Sequence, residues 1–93
     1  MQFLKSPGVP GKSKLVDDGK AVVVCANLKA GAKIPAHSSP KSVLVTIVKG
    51  RVFFGDGKDG GEEIFPGKAV YMNPGDLHNL EAIEDSELFI IHF

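Results

Sequence analysis

Short runs rich in Val, Ile and Phe, cut at fairly even intervals by Gly and Pro, constrain the fold of this chain more than any other feature. Eleven Gly and six Pro are spread through 93 residues, and both residue types disfavour a helix interior while suiting turns. The stretches between them have the β-branched and aromatic content that a pleated surface accommodates. They predict strands near residues 14–16, 21–28, 33–37, 42–48, 51–55, 62–65, 69–72, 78–83 and 87–93. The segment from Gly55 to Gly61 carries four Gly in seven positions. It reads as a hairpin connection and not as a phosphate cradle, because no helix start follows it. About nine short strands with little or no helix imply an all-β antiparallel sandwich or barrel.

Alternation along the strands says which faces are covered. In His78-Asn79-Leu80-Glu81-Ala82 the even positions suit an interior and the odd ones a wet face. Val43 to Val48 differs, because both of its faces are largely apolar. A small barrel has one interior, so the outer face of this strand calls for a second layer, and a homodimer is the expected source. Phe53, Phe54, Phe65, Phe93 and Tyr71 are assigned to the core on their size and apolarity.

The remaining composition mainly excludes. Eleven basic and eleven acidic side chains balance, which leaves no global field to attract nucleic acid or an anionic membrane. The balance is uneven along the chain, since residues 1–58 hold ten basic and three acidic groups and residues 59–93 one and eight. A barrel that interleaves the two halves would mix these charges across neighbouring strands. No helix-turn-helix pattern is present, no apolar run approaches the roughly 18 residues of a membrane span, and the N-terminus lacks a signal-peptide core. The single Cys25 cannot form an internal disulfide and reads as a small buried hydrophobe. A cytoplasmic protein is expected, with residues 1–19 as an arm and lead-in strand and residues 20–93 as one barrel.

Two segments carry chemistry. Gly31-Ala32-Lys33-Ile34-Pro35-Ala36-His37-Ser38-Ser39 is followed by Gly50, and Pro66-Gly67-Lys68-Ala69-Val70-Tyr71-Met72-Asn73-Pro74-Gly75-Asp76-Leu77-His78 lies downstream. Together they resemble the two signature motifs of the cupin family, G-x5-H-x-H-x3-E-x6-G and G-x5-P-x-G-x2-H-x3-N, over roughly residue 20 to the end. Gly31, His37, Gly50, Gly67, Gly75 and His78 match. Ser39 stands where the family has His, Val43 where it has Glu, Asn73 where it has Pro and Ala82 where it has Asn.

The resemblance implies a double-stranded β-helix barrel and, in its metal-binding members, a site of three His and one Glu. This chain keeps two of those four ligands, His37 and His78. Two imidazoles hold a divalent ion weakly, Ser39 is a poor ligand, and Val43 offers hydrocarbon in place of a carboxylate. The expectation is a barrel lined by His37, Ser39, Val43, Val45, Met72, His78 and Leu80 that binds a small molecule without catalysis, as a binding or sensor module. It carries no cofactor, or a weakly bound divalent transition metal such as Ni, Zn, Mn, Fe or Cu. The alternative implied by the resemblance is a metal-dependent dioxygenase, isomerase or decarboxylase using His37 and His78. Asp76 is expected to hold the turn before His78. His92 lies on a strand that is apolar on both faces, so parity leaves its direction open.

Overall fold

The computed structural model describes residues 1–93 and contains nine strands and no helix. They are β1 (Gly11–Asp17), β2 (Val22–Leu28), β3 (Lys33–His37), β4 (Val43–Lys49), β5 (Val52–Gly55), β6 (Gly61–Ile64), β7 (Ala69–Met72), β8 (His78–Ala82) and β9 (Ser86–His92). A five-stranded sheet runs β1-β2-β9-β4-β7 and a four-stranded sheet runs β3-β8-β5-β6, with every pairing antiparallel. The architecture is the double-stranded β-helix that the sequence predicts. β1 begins at Gly11, ahead of the expected 14–16, because its backbone pairs with β2 from Gly11↔Asn27 onward.

The inner faces follow the pleat. Val43, Val45 and Ile47 on β4 are buried, and their neighbours on β9, His92, Ile90 and Leu88, share that face. Val52 and Phe54 on β5, with Leu80 and Ala82 on β8, close the core from the opposite sheet. Leu88 is fully buried on β9, the strand hydrogen-bonded to both β2 and β4.

One close chain crossing ties the two sheets together. Gly50, at φ +92°, turns the chain from β4 toward β5 against Asp85 and Ser86, which lead into β9. The buried Ser86 hydroxyl accepts the Arg51 N–H at 3.1 Å and lies 2.8 Å from the Glu84 carbonyl. A buried hydroxyl is thereby satisfied at the junction.

Three aromatic assignments require correction. Phe65, Phe93 and Tyr71 are about half exposed. Phe65 lies beyond the end of β6, Phe93 beyond the end of β9, and Tyr71 on the outer side of edge strand β7. An apolar residue past the last ladder pair has no facing sheet to cover it. The charge halves mix as expected in two places: Arg51 pairs with Glu63 across β5 and β6, and Lys29 lies 3.8 Å from Asp85. Exposed pairs of this kind contribute about 0–1 kcal/mol each. No helix long and apolar enough to cross a membrane is present.

Candidate functional site

His37 reaches the interior because β3 contains a bulge. Ile34 pairs with Leu80 and His37 with His78, and the register shifts by one residue between those pairs. Strict alternation from the inward Ile34 would turn residue 37 outward. The extra residue in the bulge restores it to the inner face. Pro35 lies inside that irregular stretch, where a residue without an N–H costs no ladder bond.

His78 is positioned by the turn before it. The Asp76 carboxylate accepts the Asn73 N–H at 2.9 Å, and the Asp76 N–H donates to the Asn73 carbonyl at 3.1 Å. Gly75 N–H donates to the Ser39 carbonyl at 2.8 Å, tying this turn to the loop after β3. Phe54 stacks on the His78 ring, with centroids 5.7 Å apart and planes 20° apart.

The two imidazoles meet edge to face at 4.2 Å between centroids. His37 Nδ1 lies 3.0 Å from the Pro35 carbonyl and His78 Nδ1 3.1 Å from the Asp76 carbonyl. A carbonyl only accepts, so each Nδ1 is assigned as an N–H donor. In neutral rings both Nε2 atoms then carry lone pairs, and these face each other at 3.1 Å. That contact is attractive only when one extra proton or another electropositive atom lies between them. Burial, the largest influence, holds the His78 pKa below its ordinary value. The hydrogen bond to Asp76 works against this shift, and positive charge on His37 reinforces it.

These residues line a cavity of about 250 Å³ at the barrel mouth, between the two sheets. His37, Ser39, Val43, Val45, Met72, His78 and Leu80 all border it. Its floor is the tightly covered core surface of Val43, Val45, Leu80 and Leu88, each no more than 5% exposed. The accessible part is the rim, where half-buried Val24, Ile34 and Ile90 supply hydrocarbon beside exposed His37 and Lys12. His92 also lines the cavity, because it pairs with inward-facing Val43. Burial lowers its pKa first, and positive Lys41 and Lys12 lower it further. His92 has no direction legible in the sequence, and Lys12 carries no motif that would single it out. Pairing partners on other strands supply the missing information. A more open cleft of about 610 Å³ lies on the other side of Phe54, Met72 and His78, between the edge strands β6 and β7. It mixes Lys58 and Lys68 with Asp56, Glu62 and Asp76.

The paired donors meet only part of what a resident metal requires. Two Nε2 atoms 3.1 Å apart, each with its Nδ1 fixed by a carbonyl, suit adjacent ligands on one ion. No group of three or more His, Cys, Asp and Glu converges anywhere in the chain. Val43 fills the inward position beside the pair with hydrocarbon. The set is two donors short of a closed tetrahedral site and does not fit a tightly held metal.

Two antiparallel sheets closed on a mouth that holds a pair of imidazoles define a small β-barrel of the double-stranded β-helix class. The chain has the RmlC-like cupin fold. It superposes on an RmlC-like cupin from Desulfovibrio desulfuricans with a TM-score of 0.88 at 15% identity, covering 99% of this chain and 95% of that one. KdgF from Halomonas sp. matches with a TM-score of 0.79 at 19% identity over 87% of this chain and 76% of that one. A conserved Streptococcus pyogenes protein of unknown function matches with a TM-score of 0.78 at 26% identity over 87% and 70%. No protein-family model and no curated protein matches the sequence.

Proposed function

We propose that this chain is a non-catalytic cupin barrel that binds a small molecule at the mouth lined by His37, Ser39, Val43, Val45, Met72, His78 and Leu80. One observation supports this reading above others: the cavity keeps an apolar wall and two fixed imidazoles, yet among its lining residues are Ser39 and Val43, at the positions where the cupin motif has His and Glu. A ligand can be gripped and oriented there, whereas a metal held by two side chains is weakly bound. The mapping experiment is a ligand-observed NMR fragment screen followed by ¹⁵N amide shifts. Hits should perturb β3, β8 and β9 around His37, His78 and His92. Hits confined to other surfaces, or none, would defeat the proposal.

The spacing of the two Nε2 atoms favours a second reading, a metal-dependent dioxygenase, isomerase or decarboxylase whose substrate completes the ligand set. Calorimetric titration with Ni, Zn, Mn, Fe(II) and Cu separates the two. Affinity weaker than micromolar for every ion supports the binding module. Sub-micromolar affinity that disappears in His37→Ala supports the enzyme.

The binding unit is a homodimer in this proposal. Val16, Val23, Ile91, Leu44 and Tyr71 form an uncharged row across the outer face of the five-stranded sheet. Exposed Tyr71 and Phe93 lie 6.2 Å apart beside it. An uncharged row can meet its own two-fold copy without like-charge repulsion. Light scattering should give twice the chain mass, and Leu44→Glu should give the monomer.

A further inference from the structure

The paired imidazoles carry an unmet hydrogen-bond requirement at the cavity. His78 is only 8% exposed, and its Nε2 has one polar neighbour, the His37 Nε2 at 3.1 Å. Both Nδ1–H groups are spent on the backbone carbonyls of Pro35 and Asp76, so neither Nε2 holds a hydrogen to offer the other. Exchanging the tautomer of one ring would mend the contact only by turning that ring's Nδ1 lone pair on a carbonyl oxygen. Adding a proton to the pair instead would place a charge in a half-buried site, which is costly. A buried acceptor without a donor is costly as well, so the hydrogen that satisfies both atoms has to come from a third group.

The spacing of the nitrogens says what that group presents. A donor atom about 2.9 Å from each Nε2 views the two, 3.1 Å apart, at an angle of about 65°. One hydrogen on the bisector then lies about 2.1 Å from both nitrogens and makes a three-centre bond. A hydroxyl has one hydrogen to place there. An amine, ammonium or primary amide carries two or more at tetrahedral or trigonal angles, too wide for the pair, and leaves at least one in need of another acceptor. A carboxylate brings only lone pairs to meet lone pairs.

The surroundings favour an uncharged ligand. Charge at the mouth is mixed, since Lys12 borders the cavity while Asp17 shares a register row with His92 through Val22, and Lys41 influences both. The wall from Val24, Ile34 and Ile90 is hydrocarbon, against which an ion loses hydration. Ser39 Oγ accepts the Lys41 N–H, which leaves its own hydrogen for the lone pairs of a ligand oxygen at the same rim. At about 30 Å³ of liquid volume per water, a cavity of about 250 Å³ corresponds to about eight waters, room for one small ring and not for a polymer chain.

Resting on the small-molecule reading above, we infer that the barrel mouth selects an uncharged hydroxyl compound, a phenol or small alcohol, whose O–H donates to His37 Nε2 and His78 Nε2 together and whose apolar body lies against Val24, Ile34 and Ile90. The hydroxyl relieves the lone-pair contact, and the body adds burial of hydrocarbon. A ligand of the same shape without the O–H leaves the buried acceptors unpaired and is discriminated against on that ground.

The test uses NMR titrations of the full chain at pH 7.5 with EDTA present and four probes: p-cresol, p-xylene, 4-methylanisole and p-toluate. p-Cresol should bind at least tenfold more tightly than p-xylene, which has its shape without the O–H, and than 4-methylanisole, which has the oxygen without the hydrogen. p-Toluate should not bind. His37→Leu, at an exposed position that the fold does not depend on, should lower p-cresol affinity severalfold and leave p-xylene unchanged. Imidazole ¹⁵N shifts should show both rings neutral and protonated on Nδ1, with both Nε2 signals moving as p-cresol binds. Equal affinity for p-cresol and either analogue lacking the O–H, or a preference for p-toluate, overturns the hydroxyl inference and leaves the small-molecule reading standing. p-Cresol binding that leaves both Nε2 signals in place is an adventitious surface interaction and overturns the inference too. Binding by none of the four probes up to millimolar concentration also overturns it, and the fragment screen then decides the small-molecule reading by itself.

Discussion

Val24→Phe separates an accessible binding cavity from ordinary core packing. Val24 is half-buried on β2, paired with Lys14 on one side and Ile90 on the other, and its side chain borders the cavity rim. Phenylalanine adds about four carbons there, worth up to about 3 kcal/mol at about 0.8 kcal/mol per fully buried methylene. Partial exposure and about 0.5–1 kcal/mol of lost rotamer freedom reduce this to a net gain of about 1 kcal/mol. A ring forced into filled space costs about 1–3 kcal/mol instead, so the sign of the change is diagnostic. Both residues suit strands, which keeps propensity out of the comparison. Urea unfolding at pH 7 and 25 °C reads stability, and calorimetry with any fragment that the wild type binds reads occupancy. Stability unchanged or raised by about 1 kcal/mol, with affinity reduced at least tenfold, is the expected pair. A loss above 1 kcal/mol with undiminished binding would show that Val24 faces packed core and that the ligand sits elsewhere.

Other outcomes follow from the same structure. Gly50 and Gly67 have similar backbone angles, φ +92° and +96°, but a Cβ at Gly50 would lie 2.5 Å from the Asp85 carbonyl oxygen, whereas one at Gly67 meets nothing within 4 Å. Gly67→Ala should cost about 1–2 kcal/mol of left-handed strain, and Gly50→Ala should exceed it by at least 1 kcal/mol in urea unfolding. Equal costs would contradict the close crossing of β4 and β9. Burial lowers the pKa values of His78 and His92, so the unfolded chain takes up protons first as pH falls through about 6.5. This contribution to stability is complete above that pH, declines as pH falls toward the lower folded-state values, and then levels off. The thermal midpoint should be lower at pH 5 than at pH 7.5, and the difference should shrink in the double variant His78→Gln, His92→Gln. Asp76→Ala removes the acceptor for the Asn73 N–H and should cost about 1 kcal/mol. It should also disturb the His78 ring shifts, whereas Asp59→Ala on the distant hairpin loop should do neither.

Legibility varied with the range of the interaction. The alternation of β8 identified His78, Leu80 and Ala82 as inward because its other face is polar. β9 gave no such signal. Ile90, Ile91 and Phe89 are all apolar, and only pairing with Val43 shows that His92 faces the cavity. The same loss of contrast explains Phe65, Phe93 and Tyr71, whose apolar character suggested burial while their places at strand ends and on a sheet edge left them half exposed. His37 was legible through its motif, but the means by which it turns inward, a one-residue bulge across Pro35, is a property of β3 pairing with β8.

The sequence by itself determined the all-β class, the nine strand segments, the turn glycines and the two imidazoles with only Ser39 and Val43 beside them. These depend on local backbone preference and on residue chemistry, which are properties of neighbouring residues. Tertiary structure alone decided that Lys12 and His92, eighty positions apart, join His37 and His78 at one mouth. Sheet closure brings together strands distant in sequence. The lining and size of a cavity are therefore set by register between those strands, which no local pattern encodes.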